Sequence, residues 1–314
     1  MDKMKSKNSR PPQRTVAPRG RPNRVDRRAQ ETAKRRKLVA IIGGAVVLVV
    51  VAMLAVKLTT GSPATTSDTG PVPAPVLSAL SKIPATTFTT VGQGSAHGLP
   101  IPVRAPLLRG PNGHPRIIYL GAEYCPYCAA QRWAMIVALN RFGSFQGLHL
   151  DRSAADDVYP STPTFTFYGA TYQSNYIDFN PIELQSNQKV NGQYQTLQTP
   201  TAEERQLTTR YNAPPYVPAS SAGSIPFVDF ANQYIMSGAS FSPGILDNHT
   251  WQQIASSLNN PSSEQAQAII GTANQITAAI CATTNDSPAS VCGDPAVKQI
   301  EATMAKTPVP GSKS

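Results

Sequence analysis

Apolar and polar residues divide the chain into stretches of different character. The first 37 residues hold almost no apolar side chains, whereas the next 19, Leu38 to Val56, hold no charged ones. Thr, Ser, Pro and Gly dominate Thr59 to Pro75, and apolar residues recur at helix and strand spacings only from Val76 onward. The pattern predicts a disordered tail (1–37), an apolar span (38–57), a linker (58–75), a folded domain (76–306) and a second disordered tail (307–314).

Apolar spacing inside the folded domain changes repeatedly between strand and helix periods. A strand is predicted from Arg116 to Leu120, followed by Gly121 and a helix that carries Trp133 and Ile136 on one face. Further strands are predicted at 147–150, 164–168, 176–184, 225–230 and 234–236, and further helices at 200–211 (behind a Thr199 cap), 250–258, 262–281 and 295–305. This mixture predicts an α/β domain.

The uncharged run predicts a single transmembrane helix over residues 38–57. Nineteen residues that rise about 1.5 Å each span about 28 Å, close to the roughly 30 Å of a bilayer's hydrocarbon core. A cleaved signal peptide is the alternative, but the run is long for one and no clean cleavage site follows it. Lys34 to Lys37 flank its N-terminal end. The positive-inside rule therefore places residues 1–37 in the cytoplasm and the folded domain outside the cell membrane.

The net charge of +10 is confined to the N-terminal tail. Residues 1–37 hold 14 Lys and Arg against 3 Asp and Glu, whereas the rest of the chain holds 14 against 15. The folded part is close to neutral, so we expect no nucleic acid as its partner. The basic tail is interpreted as a topology determinant that touches anionic lipids, with a cytoplasmic nucleic-acid or protein partner as the alternative.

Cys125 and Cys128 lie between the predicted strand and its helix. Unpaired N–H groups and the dipole at a helix N-terminus stabilise a thiolate on Cys125, which would make it the nucleophile. Cys128, three residues on, lies on the same helix face and can attack a mixed disulfide on Cys125. An inert disulfide and half of a zinc site are the alternatives. Neither a metal nor another cofactor is expected.

Cys281 and Cys292 flank a short loop between two predicted helices. Disulfides persist outside the cytoplasm, and two local pairs suit one redox-active pair and one structural bridge. A structural disulfide is favoured for this pair, with a second redox pair or unpaired, metal-binding thiols as alternatives.

The order of these motifs resembles that of the thioredoxin superfamily. Tyr124-Cys125 is similar to the thioredoxin run in which an aromatic residue precedes the first cysteine, and Pro126-Tyr127 is the dipeptide of glutaredoxins. Ser224-Ile225-Pro226 resembles the loop whose cis-proline faces the thiols. The resemblance implies a thioredoxin-like fold with an insertion (169–222) and C-terminal helices, preceded by one transmembrane helix. It implies that Ile225 and Pro226 bind a partner's backbone, while Tyr124 and Tyr127 contact the partner or pack internally.

A closer resemblance is to the family called domain of unknown function 929, whose members are membrane-anchored and thioredoxin-like. It is carried by two runs, Gly121-x-x-x-Cys125-Pro126-x-Cys128-Ala129-Ala130-x-x-Trp133 and Ala138-Leu139-x-Arg141-Phe142-Gly143. The family has no established substrate. The resemblance therefore implies fold and location.

One position departs from the thioredoxin pattern. Thioredoxins carry a buried carboxylate six residues before the first cysteine, which relays a proton to the resolving thiol, and Tyr119 stands there. Glu123 is the only acid nearby in the sequence and is expected to be too exposed to replace it. Proton relay by this route is therefore not expected.

These signals predict a membrane-anchored, extracytoplasmic thiol–disulfide oxidoreductase that acts through Cys125 and Cys128. Its partners would be secreted or envelope proteins, or a membrane redox protein, held by a mixed disulfide. The alternative is a non-catalytic binding or structural module of the cell envelope in which Cys125 and Cys128 form a permanent disulfide. The sequence leaves the redox direction open.

Overall fold

The computed structural model describes residues 69–311 of the chain. The predicted N-terminal tail and the membrane span lie outside the described residues, as do most of the linker and residues 312–314. Among the helices between residues 69 and 311, none combines the length and apolar character that a membrane crossing requires. The crossing at residues 38–57 stays a prediction.

Helices and strands are mixed along the described chain, which confirms the predicted α/β class. The strands are β1 (Gly70–Pro71), β2 (Ile101–Pro102), β3 (Arg116–Gly121), β4 (Gly143–Gln146), β5 (His149–Arg152), β6 (Pro163–Thr166), β7 (Thr171–Ser174), β8 (Asp178–Glu183), β9 (Gln185–Val190), β10 (Gln193–Thr196), β11 (Phe227–Phe230) and β12 (Tyr234–Ser237). The helices are α1 (Ala74–Ser81), α2 (Ala85–Val91), α3 (Pro126–Leu139), α4 (Ala202–Tyr211), α5 (Trp251–Ser257), α6 (Glu264–Thr283), α7 (Ala289–Cys292) and α8 (Pro295–Lys306).

The largest sheet in the described region orders its five strands β2-β12-β11-β3-β8. β3 and β8 are parallel, whereas β11 is antiparallel to both β3 and β12. Leu120 of β3 therefore lies between Phe227 of β11 and Ile182 of β8. β8 falls within residues 169–222, so the segment interpreted as an insertion supplies a strand of the main sheet. Parallel pairing across so long a connection leaves no local signal in the sequence.

Apolar residues pack on both faces of this sheet because alternate side chains of a strand point in opposite directions. Ile117 and Tyr119 belong to one buried cluster with residues of α3 and α6. Ile118 and Leu120 belong to a second cluster, which includes Tyr211 of α4. α3 packs directly against α6 and β6. β3 is thereby covered on both sides and holds the start of α3 in a fixed place.

α4 begins at Ala202 instead of the predicted Pro200. Thr201, rather than Thr199, is its N-cap: the Thr201 hydroxyl accepts from the Glu204 N–H, and the Glu204 carboxylate accepts from the Thr201 N–H. This reciprocal capping box satisfies two donors that would otherwise lack partners. Glu204 also pairs with Arg116 of β3 at 2.8 Å, which fixes α4 against the sheet.

Cys281 and Cys292 form a disulfide, which confirms the structural bridge predicted from their spacing. Both residues are fully buried, and the bond joins the end of α6 to α7 across 11 residues of sequence. The bridge therefore restrains the packing of the C-terminal helices.

We expect the C281A/C292A variant to lose about 3 kcal/mol of unfolding free energy, because a loop of this length gains that much entropy in the unfolded chain when the bridge is absent. Urea denaturation of the two proteins measures the difference. A loss below about 1 kcal/mol would show that other contacts hold this loop.

Candidate active site

Cys125 and Cys128 lie at the junction of β3 and α3, as predicted. Cys125 is the N-cap of α3, and its Sγ accepts from the Cys128 backbone N–H at 3.3 Å. β3 ends at Gly121, where a β-carbon would clash with the Tyr119 hydroxyl, so only glycine allows this close approach. Both cysteines are unbridged. Cys125 is 7% exposed and Cys128 is fully buried, so Cys125 is the thiol that a partner reaches first.

The Ile225–Pro226 bond is cis, and it lies beside the thiols. Sγ of Cys125 is 3.9 Å from the carbonyl oxygen of Ile225. The antiparallel register of β3 and β11 explains the proximity, because Phe227 pairs with Leu120 and the residues just before β11 then face the end of β3. The predicted cis bond and its place next to Cys125 are confirmed, whereas substrate binding by Ile225 and Pro226 stays a prediction.

The two thiols differ in acidity. The hydrogen bond with the Cys128 side chain is the main cause that lowers the pKa of Cys125; backbone N–H groups and the Arg132 charge act in the same direction, and burial opposes them. Burial raises the pKa of Cys128 well above its ordinary value, and the hydrogen bond and charge of Cys125 add to this. Cys125 therefore has the character of a nucleophile or leaving group, and Cys128 that of a protected thiol.

Tyr124 and Tyr127, which flank Cys125 in the sequence, each contact a second tyrosine. Tyr124 stacks on Tyr194 of β10 with ring centroids 4.3 Å apart, and Tyr127 meets Tyr159 edge to face at 5.9 Å. Tyr127 is 42% exposed, so it can contact a partner as well as pack. Tyr159 and Tyr194 were missed in the sequence because a loop and strand β10, both distant along the chain, bring them here.

A fully buried ion pair lies one turn further along α3. Arg132 donates to Glu183 at the end of β8 through two bonds, Nε to Oε1 at 2.8 Å and Nη2 to Oε2 at 2.7 Å. Neither side chain is exposed to solvent. Arg132 acts electrostatically on both thiols and lowers the pKa of each. Sequence reasoning missed both residues; a lone arginine inside the apolar run of α3 was the available signal.

Tyr119 and Glu123 occupy the positions where a proton relay was considered. Tyr119 is fully buried, and its hydroxyl has no hydrogen-bond partner among residues 69–311. Burial raises its pKa well above the ordinary value, so it retains its proton and is not a general base. Glu123 is only 9% exposed and accepts from the Thr166 hydroxyl at 2.6 Å. The expectation that Glu123 is exposed is wrong, because the β5–β6 hairpin covers it, and Glu183 lies close by in space although it is distant in the sequence.

Asp151 of β5 adds a third carboxyl to this buried region. One of its oxygens accepts from Asn187 at 2.8 Å, and the other has no partner within the described chain. Burial, followed by repulsion from Glu123, raises the pKa of Asp151 to about 8. Asp151 is therefore mostly protonated at neutral pH.

The family of the chain follows from a match to residues 108–282. This stretch covers 175 of the 314 residues and matches the model described as domain of unknown function, DUF929. The chain belongs to the DUF929 family. The DUF929 region contains both thiols, the Arg132–Glu183 pair and Pro226, whereas Cys292 lies beyond it.

Neither the curated proteins nor the solved structures gave a match to this DUF929 chain. Within residues 69–311, no group of three or more His, Cys, Asp and Glu side chains is arranged to hold a metal ion.

The difference in acidity predicts selective alkylation of the two thiols. In mildly reduced protein at pH 7, iodoacetamide should modify Cys125 at least about tenfold faster than Cys128, because the thiolate is the reacting species and Cys128 is buried as a thiol. Mass spectrometry of peptides from a time course measures both rates. Equal rates would contradict the assigned roles.

The raised pKa of Asp151 predicts a pH-dependent stability. Between about pH 4 and pH 8 the unfolded chain has lost this proton while the native protein keeps it, so the unfolding free energy falls as pH rises, by up to about 1.4 kcal/mol per pH unit. Asp151→Asn removes this contribution. Urea denaturation at pH 5, 6, 7 and 8 should show that the unfolding free energy of the variant rises relative to that of the wild type with each increase in pH. A difference that does not vary with pH would contradict the assignment.

Proposed function

We propose that the protein is a thiol–disulfide oxidoreductase with a thioredoxin-like fold, which exchanges disulfides with other proteins through Cys125 and Cys128. The observation that carries the proposal is the asymmetry of the pair. Cys125 caps α3, has a lowered pKa and keeps 7% of its surface exposed beside the Ile225 carbonyl, while Cys128 is fully buried. An inert disulfide needs no such division between its two sulfurs.

The strand order supports the fold in this proposal. Four neighbouring strands of the main sheet have the order β12-β11-β3-β8. Within it β3, the strand before the thiols, has β8 as a parallel neighbour and β11 as an antiparallel one. α3 and α6 share an apolar cluster on one face of this run, and Tyr211 of α4 packs on the other. The segment between α3 and β8, which contains β4 to β7, is then an addition to the basic fold.

The proposed exchange follows from these positions. The thiolate of Cys125 attacks a partner disulfide, forms a mixed disulfide and releases one partner sulfur as a thiolate. Cys128 then loses its proton and attacks Sγ of Cys125, which releases the second partner thiolate and leaves a Cys125–Cys128 disulfide. Two electrons pass to the partner. The reverse sequence transfers a disulfide to a partner dithiol.

The partner chain is proposed to lie in an extended form along the loop at Pro226. The Ile225 carbonyl stands 3.9 Å from Cys125 Sγ, so a backbone that follows this loop passes the reactive sulfur. Tyr124 and Tyr127 border the same sulfur and would contact side chains next to the partner cysteine. Backbone pairing and aromatic contact need no particular sequence in the partner, which suits a protein that acts on many chains.

The location proposed for this activity is the outer side of the cell membrane, with residues 38–57 in the lipid bilayer and the N-terminus in the cytoplasm. The Cys281–Cys292 disulfide supports an oxidising compartment, because such bonds rarely persist in the cytosol. Secreted proteins, envelope proteins or a membrane redox protein would be the partners.

Trapping with Cys128→Ser tests the proposal. Without the resolving thiol, mixed disulfides on Cys125 should accumulate in cells that express the full-length variant. Non-reducing electrophoresis of acid-quenched membranes, followed by mass spectrometry, detects adducts that reductant removes.

Cys125→Ser/Cys128→Ser is the matched control and should form none of these adducts. If Cys128→Ser gives no adduct that depends on Cys125, the oxidoreductase is rejected. A reduction potential below about −300 mV for the wild-type pair would instead favour a permanent structural bridge.

A further inference from the structure

One nitrogen of the Arg132 guanidinium makes no hydrogen bond to Glu183. Nε and Nη2 both bond to Glu183, whereas Nη1 is buried and has no hydrogen-bond partner within the described residues. A second unpartnered donor, the Tyr119 hydroxyl, lies in the same region, with the guanidinium carbon 6.0 Å from the centre of its ring. Two buried donors without acceptors are costly, and each such group in a native structure calls for an explanation.

The position of Arg132 on its helix directs this charge toward the thiols. It follows Cys128 by four residues and Cys125 by seven, and residues at these spacings lie along one face of an α-helix. No other Lys or Arg interrupts α3. A buried ion pair is rarely more stabilising than an apolar pair of similar volume, so packing alone does not account for an arginine here.

We propose that Arg132 is a positioning residue that stabilises the negative charge on Cys125 in the reduced protein and so biases the pair toward accepting electrons from a protein dithiol. The inference rests on the proposed function and adds a direction to it. The favoured reaction converts the Cys125–Cys128 disulfide and a partner dithiol into the reduced pair and a partner disulfide.

The favoured reaction proceeds in two thiol–disulfide exchange steps. A partner thiolate attacks Cys125 Sγ, the Cys125–Cys128 bond breaks, and Cys128 leaves and takes up a proton. The second partner thiolate then attacks the partner's own sulfur in the mixed disulfide, and Cys125 leaves as a thiolate that the charge of Arg132 stabilises. Two electrons pass from the partner to the protein. Cys125 is the leaving group of the second step, and a less basic leaving group departs faster.

Glu183 partly cancels the effect of Arg132 at the thiols, which provides a test with opposite signs. Glu123 and Asp151 are the other acids packed around this region, and they stay unchanged in the variants below. Glu183→Gln leaves Arg132 uncompensated and should strengthen the stabilisation of the Cys125 thiolate. R132Q/E183Q removes both charges and should weaken it.

Two measurements on each full-length variant report the effect. The first is the pH dependence of Cys125 alkylation by iodoacetamide. The second is the equilibrium constant for forming the Cys125–Cys128 disulfide in glutathione buffers at pH 8. We expect Glu183→Gln to shift the alkylation profile to lower pH and to decrease the equilibrium constant by about tenfold. We expect R132Q/E183Q to shift the profile to higher pH and to increase the constant by a similar factor.

R141Q/D294N is the matched control, because Arg141 and Asp294 also pair in a buried setting, at 3.8 Å, but beyond the far end of α3. It should destabilise the protein without moving either measurement. If Arg132 had a purely structural role, both Glu183→Gln and R132Q/E183Q would lower the stability. Their alkylation profiles and equilibrium constants would then shift in the same direction in both variants, or would not shift at all. That result would overturn the inference.

If Glu183→Gln fails to fold, R132Q/E183Q still tests the inference, because the double variant leaves no unpaired buried charge. An unchanged equilibrium constant for the disulfide in R132Q/E183Q would also overturn the inference. Failure of the proposed function is distinguishable, because Cys128→Ser would then trap no mixed disulfide. Trapped adducts together with unchanged constants would reject the role of Arg132 alone.

Discussion

The ion pair between Arg132 and Glu183 is the interaction on which the geometry of the site depends. It joins α3 to the end of β8 beneath the thiols, with two hydrogen bonds and no exposure to water. Taking two charges out of water costs several kcal/mol for each ion, and their attraction offsets this cost only while both partners are present. Loss of either one typically costs about 3–5 kcal/mol. The pair thus ties the helix to the sheet at one fixed position, and it brings a permanent cation into the apolar core.

The strand pairings around β3 bring together segments that are distant in the sequence. The parallel register with β8 places Glu183 opposite Gly121, at the level where the chain turns toward Cys125. The antiparallel register with β11 places Pro226 at the same end of the sheet. A shift of either strand by one residue would send its side chains to the opposite face. The site therefore depends on register as much as on the identity of its residues.

Local signals in the sequence were enough for the features that depend on neighbours along the chain. Apolar residues ending at Gly121 predict the strand, a cysteine before Pro126 predicts the helix start, and the spacing of Cys281 and Cys292 favours their disulfide. Glu183 reaches the site only through the pairing of β8 with β3, whereas Asp151 and Tyr194 reach it because hairpins distant along the chain pack there, and neither arrangement leaves a local periodicity to detect. The burial of Glu123 was missed for the same reason, because the hairpin that covers it begins more than twenty residues later. Pro226 was predictable only through its resemblance to a known loop.

The protonation of Asp151 decides how much of the Arg132 charge is felt at the thiols. If Asp151 were ionised together with Glu123 and Glu183, three negative charges would surround a single guanidinium, and the region would disfavour a thiolate. Burial prevents this, because it raises the pKa of Asp151 to about 8 and that of Glu123 above its ordinary value. Asp151 thus holds a proton at neutral pH that a carboxyl in water would lose, whereas Glu183 is paired with Arg132. The low dielectric that makes the ion pair costly also limits the number of anions beside it, so the electrostatic influence of Arg132 survives at neutral pH.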